Sequence, residues 1–247
     1  MLKNNPPTAK HAAAVEPFKY IGLIPGQVFD PEQLSPSTKA GLIRAAQMGE
    51  QIMQWKVKFR GTPYETRWNK LREGTYDFDY LDRAAGSLEG LFVHDYVEAM
   101  YYSTYESYVP PAEGDQTGQG AFFDSSHQYV LHFEADELPK TKENGFWSVT
   151  MYGADFQLVD NEINLYSISE RTEGVTKNDD GSLDIYVQSE RPDDPQKACN
   201  WLPCPREGGQ LFRLNYRIYL PDYRVQHPDD DLSFIPPVLK CSLTESV

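Results

Sequence analysis

The sequence predicts an α+β fold: N-terminal helices packed on an antiparallel β-sandwich or jelly-roll-like body. Apolar residues recur at helical spacing before Pro110-Pro111. After that pair the chain reads as short apolar runs separated by turn residues. The 247 residues are 40% apolar and 24% charged, enough to bury a sizeable core. The expected division is a mobile tail over 1–17, a helical region over 18–110 and a β-rich domain over 111–247, with the last two forming one unit.

Each element has a local reason. Tyr20 to Phe29 is apolar but broken by Pro25-Gly26, which predicts an extended segment with a turn. Ser35-Pro36 supplies an N-cap and a proline at the first helical position. Leu42, Ile43, Ala46, Ile52, Met53 and Val57 follow at helical spacing, so a helix is predicted from about Pro36 to Phe59, ended by Gly61-Thr62-Pro63. Tyr64 to Leu71 is ambiguous. A second helix is predicted from about Phe78, carried by Leu81, Ala84 and Ala85, and a further helical stretch from Leu88 to about Tyr105. Gly114, Gly118 and Gly120 mark a loop. The strand runs are Gln128–Phe133, Phe146–Tyr152, Ile163–Ile168, Leu183–Gln188 and Gln210–Tyr219, with a turn at Asn178-Asp179-Asp180-Gly181.

Charge bounds the function. The chain carries 23 basic and 37 acidic residues, a formal charge of −14. Such acidity argues against nucleic acid, whose binding needs cationic neutralisation of phosphates. Residues 1–70 hold 10 basic and 5 acidic groups, a net of +5, and residues 71–247 hold 13 and 32, a net of −19. Two solvated surfaces of opposite sign account for this; a homodimer or a partner chain also fits it. No apolar stretch is long enough for a membrane helix and no secretory leader is visible, so a cytoplasmic, non-membrane protein is expected. Cys199, Cys204 and Cys241 are odd in number, which predicts free thiols in a reducing compartment. Cys199 and Cys204 have no second pair to complete a zinc site, and no metal is expected. Phosphate-binding glycine motifs and a nucleophile elbow are absent from the sequence, so no cofactor is expected either.

The motifs YVLHF (129–133), FWSVTMYG (146–153), NEINLYSISERT (161–172), NDDGSLDIYVQ (178–188), NWLPCP (200–205) and FRLNYRIYLPD (212–222) occur in the order typical of one family. The chain resembles the domain of unknown function 1214, the C-terminal part of the two-domain 1254/1214 proteins. Upstream, IGLIPGQVFD (21–30), YDFDYLDRA (76–84) and VEAMYY (97–102) extend the resemblance to about residues 20–240. It implies a short, stand-alone version lacking the 1254 domain, with a β-sandwich or jelly-roll-like body. Leu165 stands where the family often has arginine, Ser169-Glu170 where it often has Gly-Asp, and Cys204 where it often has alanine. A pocket shared with the missing domain is then open, or closed by another chain. The resemblance implies no agreed reaction.

Several residues have the chemistry of a site. His132 and Glu134 share one face of a predicted strand, where a carboxylate can orient an imidazole as a general base. Glu98, four residues after His94 and close to Tyr101, resembles the family's Glu-Ala motif and is a candidate acid. Arg171 has a fork suited to an oxyanion, though pairing with Glu170 or Asp180 serves it equally. Tyr152 and Tyr166 are candidate orienting donors. Trp147, Asn161, Asn164, Asn200 and Trp201 complete a polar-aromatic set suited to a small organic ligand, although such rings are often core. The expected function is a cofactor-independent enzyme of dehydratase, cyclase, isomerase or hydrolase type, acting on a small organic molecule. Glu98, His132, Arg171 and Tyr152 are its expected catalytic groups. A non-catalytic small-molecule or carbohydrate-binding module, and a subunit of a homo- or hetero-assembly, are the alternatives.

Overall fold

The computed structural model describes residues 4, 6–58, 61–63, 68–70, 77–90, 93–104, 122–227 and 232–241. The ambiguous stretch at 64–67 and 71, the apolar Leu91 and Phe92, and the glycine-marked loop around 110–120 lie outside the described residues.

The segment expected as a tail instead forms short turns over Ala9–His11, α1 (Ala12–Val15) and Glu16–Ile21. It is tied down where Lys10 pairs with Asp77 at 2.8 Å and the His11 ring meets the Tyr80 hydroxyl at 2.9 Å. The expected extended segment begins inside the last of these turns, which Gly22 closes with a left-handed φ of 80°. The long helix α2 (Pro36–Lys58) starts where the cap signal places it: Ser35 Oγ accepts the Thr38 N–H at 3.1 Å. Helix α3 (Tyr80–Glu89) is capped by Asp79, whose carboxylate accepts the Asp82 N–H at 2.9 Å. The two helices pack together around Val57 and Ala85. Among the described residues no helix is long and apolar enough to cross a membrane.

Strands β1 (Thr62–Pro63), β2 (Asn69–Lys70), β3 (Ala99–Ser103), β4 (Phe123–Asp124), β6 (Thr141–Gly153), β7 (Ser167–Ser169) and β10 (Leu211–Pro221) make one sheet. Its order is β1-β2-β3-β10-β6-β7, with β4 also on β10. Strands β5 (Tyr129–Phe133), β8 (Leu183–Gln188), β9 (Trp201–Pro203) and β11 (Val238–Lys240) make a second sheet in the order β11-β5-β8-β9. Among the described strands only the β8–β9 ladder is parallel. The class is therefore α+β, with two mostly antiparallel sheets.

Two expectations fail here. The helix expected from Leu88 to Tyr105 is absent from the described residues 93–104, which turn at 96–98 and then form β3. Met100 and Tyr102 point inward while Tyr101 faces out, a period of two that pairs with Ile218, Tyr216 and Arg217 of β10. Strands β1 to β3, from the 18–110 region, thus share one sheet with strands from 111–247. The strand expected at Ile163–Ile168 shrinks to Ser167–Ser169, because Asn161 closes a turn through bonds to the Leu165 N–H and C=O and Asn164 takes a φ of 53°.

The inner faces of the two sheets share one core. Trp147, Val149 and Met151 of β6 and Phe212, Leu214, Tyr216 and Ile218 of β10 meet Tyr129, Leu131 and Phe133 of β5 and Ile185 of β8. Phe133 lies 5.1 Å from Trp147 and 5.9 Å from Tyr216, ring to ring. The alternate residues of each strand must then point away from the core, and these outward faces carry the candidate chemistry.

Candidate functional site

The four-stranded sheet turns His132 of β5 and Asp184 and Tyr186 of β8 outward. Register sets His132 directly opposite Asp184. His132 Nδ1–H donates to Asp184 Oδ1 at 2.6 Å, and Nε2 lies 3.5 Å from Glu134 Oε1. The other Asp184 oxygen accepts from Asn178 Nδ2 at 3.0 Å and from the Tyr186 hydroxyl at 3.4 Å. The Asp184 hydrogen bond raises the His132 pKa above its ordinary value; burial opposes this, and the charges of Asp184, Glu134 and Asp180 add to it. Burial first, then Asp184, pushes the Tyr186 phenol up to about 12. The expected His132–Glu134 pair exists, but Asp184 is the stronger partner, and Glu134 is 74% exposed. With a carboxylate at each ring nitrogen, His132 joins two strands as an ion-paired cation.

The seven-stranded sheet presents a different outward face. Ser148, Thr150 and Tyr152 of β6 lie beside Arg213, Asn215 and Arg217 of β10 and Tyr101 and Ser103 of β3. Polar residues pointing away from a core are ordinarily solvated. Here Arg213 is 1% exposed, Ser103 3%, Ser148 8% and Thr150 9%. This polar layer is therefore buried. Within it Arg217 Nη1–H donates to Thr150 Oγ1 at 3.1 Å and Nη2–H to the Tyr152 hydroxyl at 3.0 Å. The guanidinium lies 5.4 Å from the Tyr152 ring centre and 5.9 Å from that of Tyr101. Arg213 covers Phe156 at 3.9 Å and lies 5.8 Å from the Tyr152 ring centre. Ser103 Oγ donates to Asn215 Oδ1 at 2.7 Å.

At one rim of this face, Phe146 and Tyr219 stack at 4.5 Å, the His94 ring meets Tyr219 at 6.2 Å, and Arg171 covers Phe146 at 4.3 Å. Glu98 stands there in a turn, bonded to His94 Nδ1 at 3.1 Å and largely solvated. The His94 N–H donates to the Tyr101 hydroxyl at 3.1 Å. Arg171 donates through Nη2 to the carbonyls of Asn144 and Gly145 at 3.0 and 2.9 Å, so it pins the β6 bend, and its charge also acts on neighbouring Glu170. A side chain on Gly145 would come within 2.6 Å of the Tyr219 carbonyl, which explains glycine at that bend.

The expected residues thus fall into three groups. Tyr101 and Tyr152 converge on Arg217, with Glu98 and Arg171 at the rim. His132 and Glu134 belong to the other sheet, with His132 on its outward face. The remainder serve the fold. Trp147 is inside the core. Trp201 is buried and donates through Nε1 to the Gln188 carbonyl at 2.9 Å. Asn200 clasps both backbone groups of Thr176, and Tyr166 donates to Asn164 at 3.3 Å. Arg217 and Asp184 were the residues missed. Their signal is alternation: Arg213, Asn215 and Arg217 punctuate an apolar run every second residue, as Asp184 and Tyr186 do in theirs.

Among the described residues no group of three or more His, Cys, Asp or Glu side chains is arranged to hold a metal. The three cysteines are free thiols, and burial pushes the Cys204 thiol up to about 12.

No curated protein matches the chain. It is similar to the VPA0106 protein from Vibrio parahaemolyticus, at 21% identity and a TM-score of 0.56, over 98% of this chain and 53% of that one. It is also similar to an uncharacterized protein from Burkholderia cenocepacia, at 16% identity and a TM-score of 0.43, over 89% of this chain and 50% of that one. The chain spans about half the length of these solved structures, and its likeness to the Vibrio protein is one of fold. The family match is narrower than the motif resemblance, yet it includes Tyr152, Arg213 and Arg217: residues 106–223, just under half of the chain, match the family described as protein of unknown function (DUF1214).

Proposed function

We propose that the protein binds a small organic molecule on the outer face of the seven-stranded sheet. The observation that supports this is the buried polar layer around Arg217, where hydroxyls of Thr150 and Tyr152 and the rings of Tyr101 and Tyr152 surround one guanidinium. A strand face that only met water would not need buried serine, threonine and arginine, because burying polar groups is costly unless they find partners. A rigid sheet carrying a few convergent donors beside aromatic rings is the usual composition of a small-molecule site. The two-layer body, read as a jelly-roll-like sandwich, is the scaffold that holds those donors.

A second reading, acid/base turnover of that molecule, is favoured by Tyr152. Its hydroxyl accepts from Arg217, which leaves its own proton to donate to a ligand oxygen. Glu98 and His94 at the rim would be the proton-exchanging pair. Binding ranks first because the layer itself is built of donors and rings, while the imidazole with the best-oriented carboxylate, His132, belongs to the other sheet.

Native mass spectrometry of purified wild type and Arg217→Gln, each compared with its denatured mass, tests binding. A small organic mass retained by the wild type and lost from the variant is expected. The same mass on both proteins would contradict the assignment to this face. Conversion of the retained compound by wild type but not by Tyr152→Phe would move the conclusion from binder to enzyme.

A further inference from the structure

We infer that the ligand of this face is an organic carboxylate anchored by Arg217; the inference rests on the reading of the face as a ligand site. The reason is an imbalance of charge. In a chain of net charge −14, carboxylates are plentiful, and other cations find them. Arg224 pairs with Glu137 at 2.7 Å, Arg206 with Glu162 at 2.5 Å, and Lys39 with Glu32 at 3.0 Å. Arg217 does not. Its partners are two neutral hydroxyls and two tyrosine rings, and no acidic side chain pairs with it among the described residues.

A half-buried cation with no counter-charge is unfavourable, and ring faces offset only part of that cost. A ligand that brings its own negative charge removes the imbalance. The geometry favours a carboxylate. Guanidinium has five N–H donors in a planar fork, and the two hydroxyl contacts leave donors on the same group for a planar, two-oxygen acceptor. The Tyr152 hydroxyl proton can reach a third acceptor position. Tyr101 and Tyr152 offer ring surface to the carbon skeleton, which favours an organic acid over a bare inorganic anion.

The test titrates benzoate and the neutral benzyl alcohol into wild type, Arg217→Gln and Tyr152→Phe, followed by isotope-edited NMR of backbone and arginine side-chain signals. Tyr152→Phe keeps the ring and serves if Arg217→Gln folds poorly. Saturable benzoate binding that moves Thr150, Tyr152 and the Arg217 side chain is expected. It should weaken about tenfold or more in Arg217→Gln and several-fold in Tyr152→Phe, and benzyl alcohol should bind the wild type at least about tenfold more weakly than benzoate. Benzyl alcohol matching benzoate, with Arg217→Gln unchanged, would overturn the carboxylate assignment and leave the ligand face standing. If neither probe moves that face, the reading of the face falls and the carboxylate assignment falls with it.

Discussion

The two outer faces of the molecule treat positive charge in opposite ways. On the four-stranded sheet, His132 meets Asp184 and Glu134, and Asn178 and Tyr186 hold Asp184 in turn. Every member has its partner within the chain. On the seven-stranded sheet, Arg217 sits in a buried polar layer where its partners among the described residues are hydroxyls and rings. The first network is complete and needs nothing from outside. The second, in the reading proposed here, takes its negative charge from a ligand. An ion pair that satisfies itself serves stability, whereas an unsatisfied cation held rigidly on a sheet points to recognition.

The harshest way to break the comparison is to remove what both faces stand on. Trp147→Ala is expected to cost about 3–5 kcal/mol in chemical denaturation, and both outer faces should lose their NMR dispersion together. Survival of one face alone would show that the sheets do not share a single cooperative core. Asp184→Asn comes next, at roughly 1–3 kcal/mol, since it takes the charge from a network in which His132, Asn178 and Tyr186 all use the carboxylate. The His132 pKa, followed by NMR titration, should fall. Ligand binding on the other face should not change.

The pH dependence separates the faces further. His132 is held above its ordinary value, so folding favours its protonated form. That contribution is present in full below about pH 6.5, the unfolded value, and is lost as pH rises through the higher folded-state value. Because His132 is 31% exposed, solvent screening limits the effect to about 1 kcal/mol or less. The stability gap between wild type and His132→Gln should therefore be widest in mildly acidic solution and narrow in alkaline solution. A gap that widens with rising pH would contradict the assignment. Arg217→Gln has the smallest expected effect on stability, about 0.5 kcal/mol in either direction, and the largest on ligand binding. That split between stability and binding is what distinguishes an anchor from a structural ion pair.

Much of the fold was legible from local pattern. The Ser35-Pro36 signal and the apolar spacing fix the start of α2, and Leu183–Gln188 emerges as a strand with the bounds its alternation implies. Residues 99–103 misled because Val97, Met100 and Tyr101 fit a helical stripe as well as a strand. What decides between them is pairing with β10, more than a hundred residues away, which no local window contains. The same non-locality divides the candidate site. His132 was visible as a titratable residue on a strand, but its true partner Asp184 is set by the register of β5 on β8. Tyr101, Tyr152 and Arg217 come from three strands, and only the order β3-β10-β6 brings them side by side. Trp147 and Trp201 looked like ligand walls because aromatic type alone does not reveal which face of a strand is inward.

The most direct test of the ligand face is chemical-shift mapping of the wild-type protein with a mixture of small organic acids, read residue by residue on both sheets. Shifts should concentrate at Tyr101, Thr150, Tyr152 and Arg217, with His132, Asp184 and Tyr186 unmoved. Shifts concentrated at His132 and Tyr186, or none on the seven-stranded sheet, would contradict it.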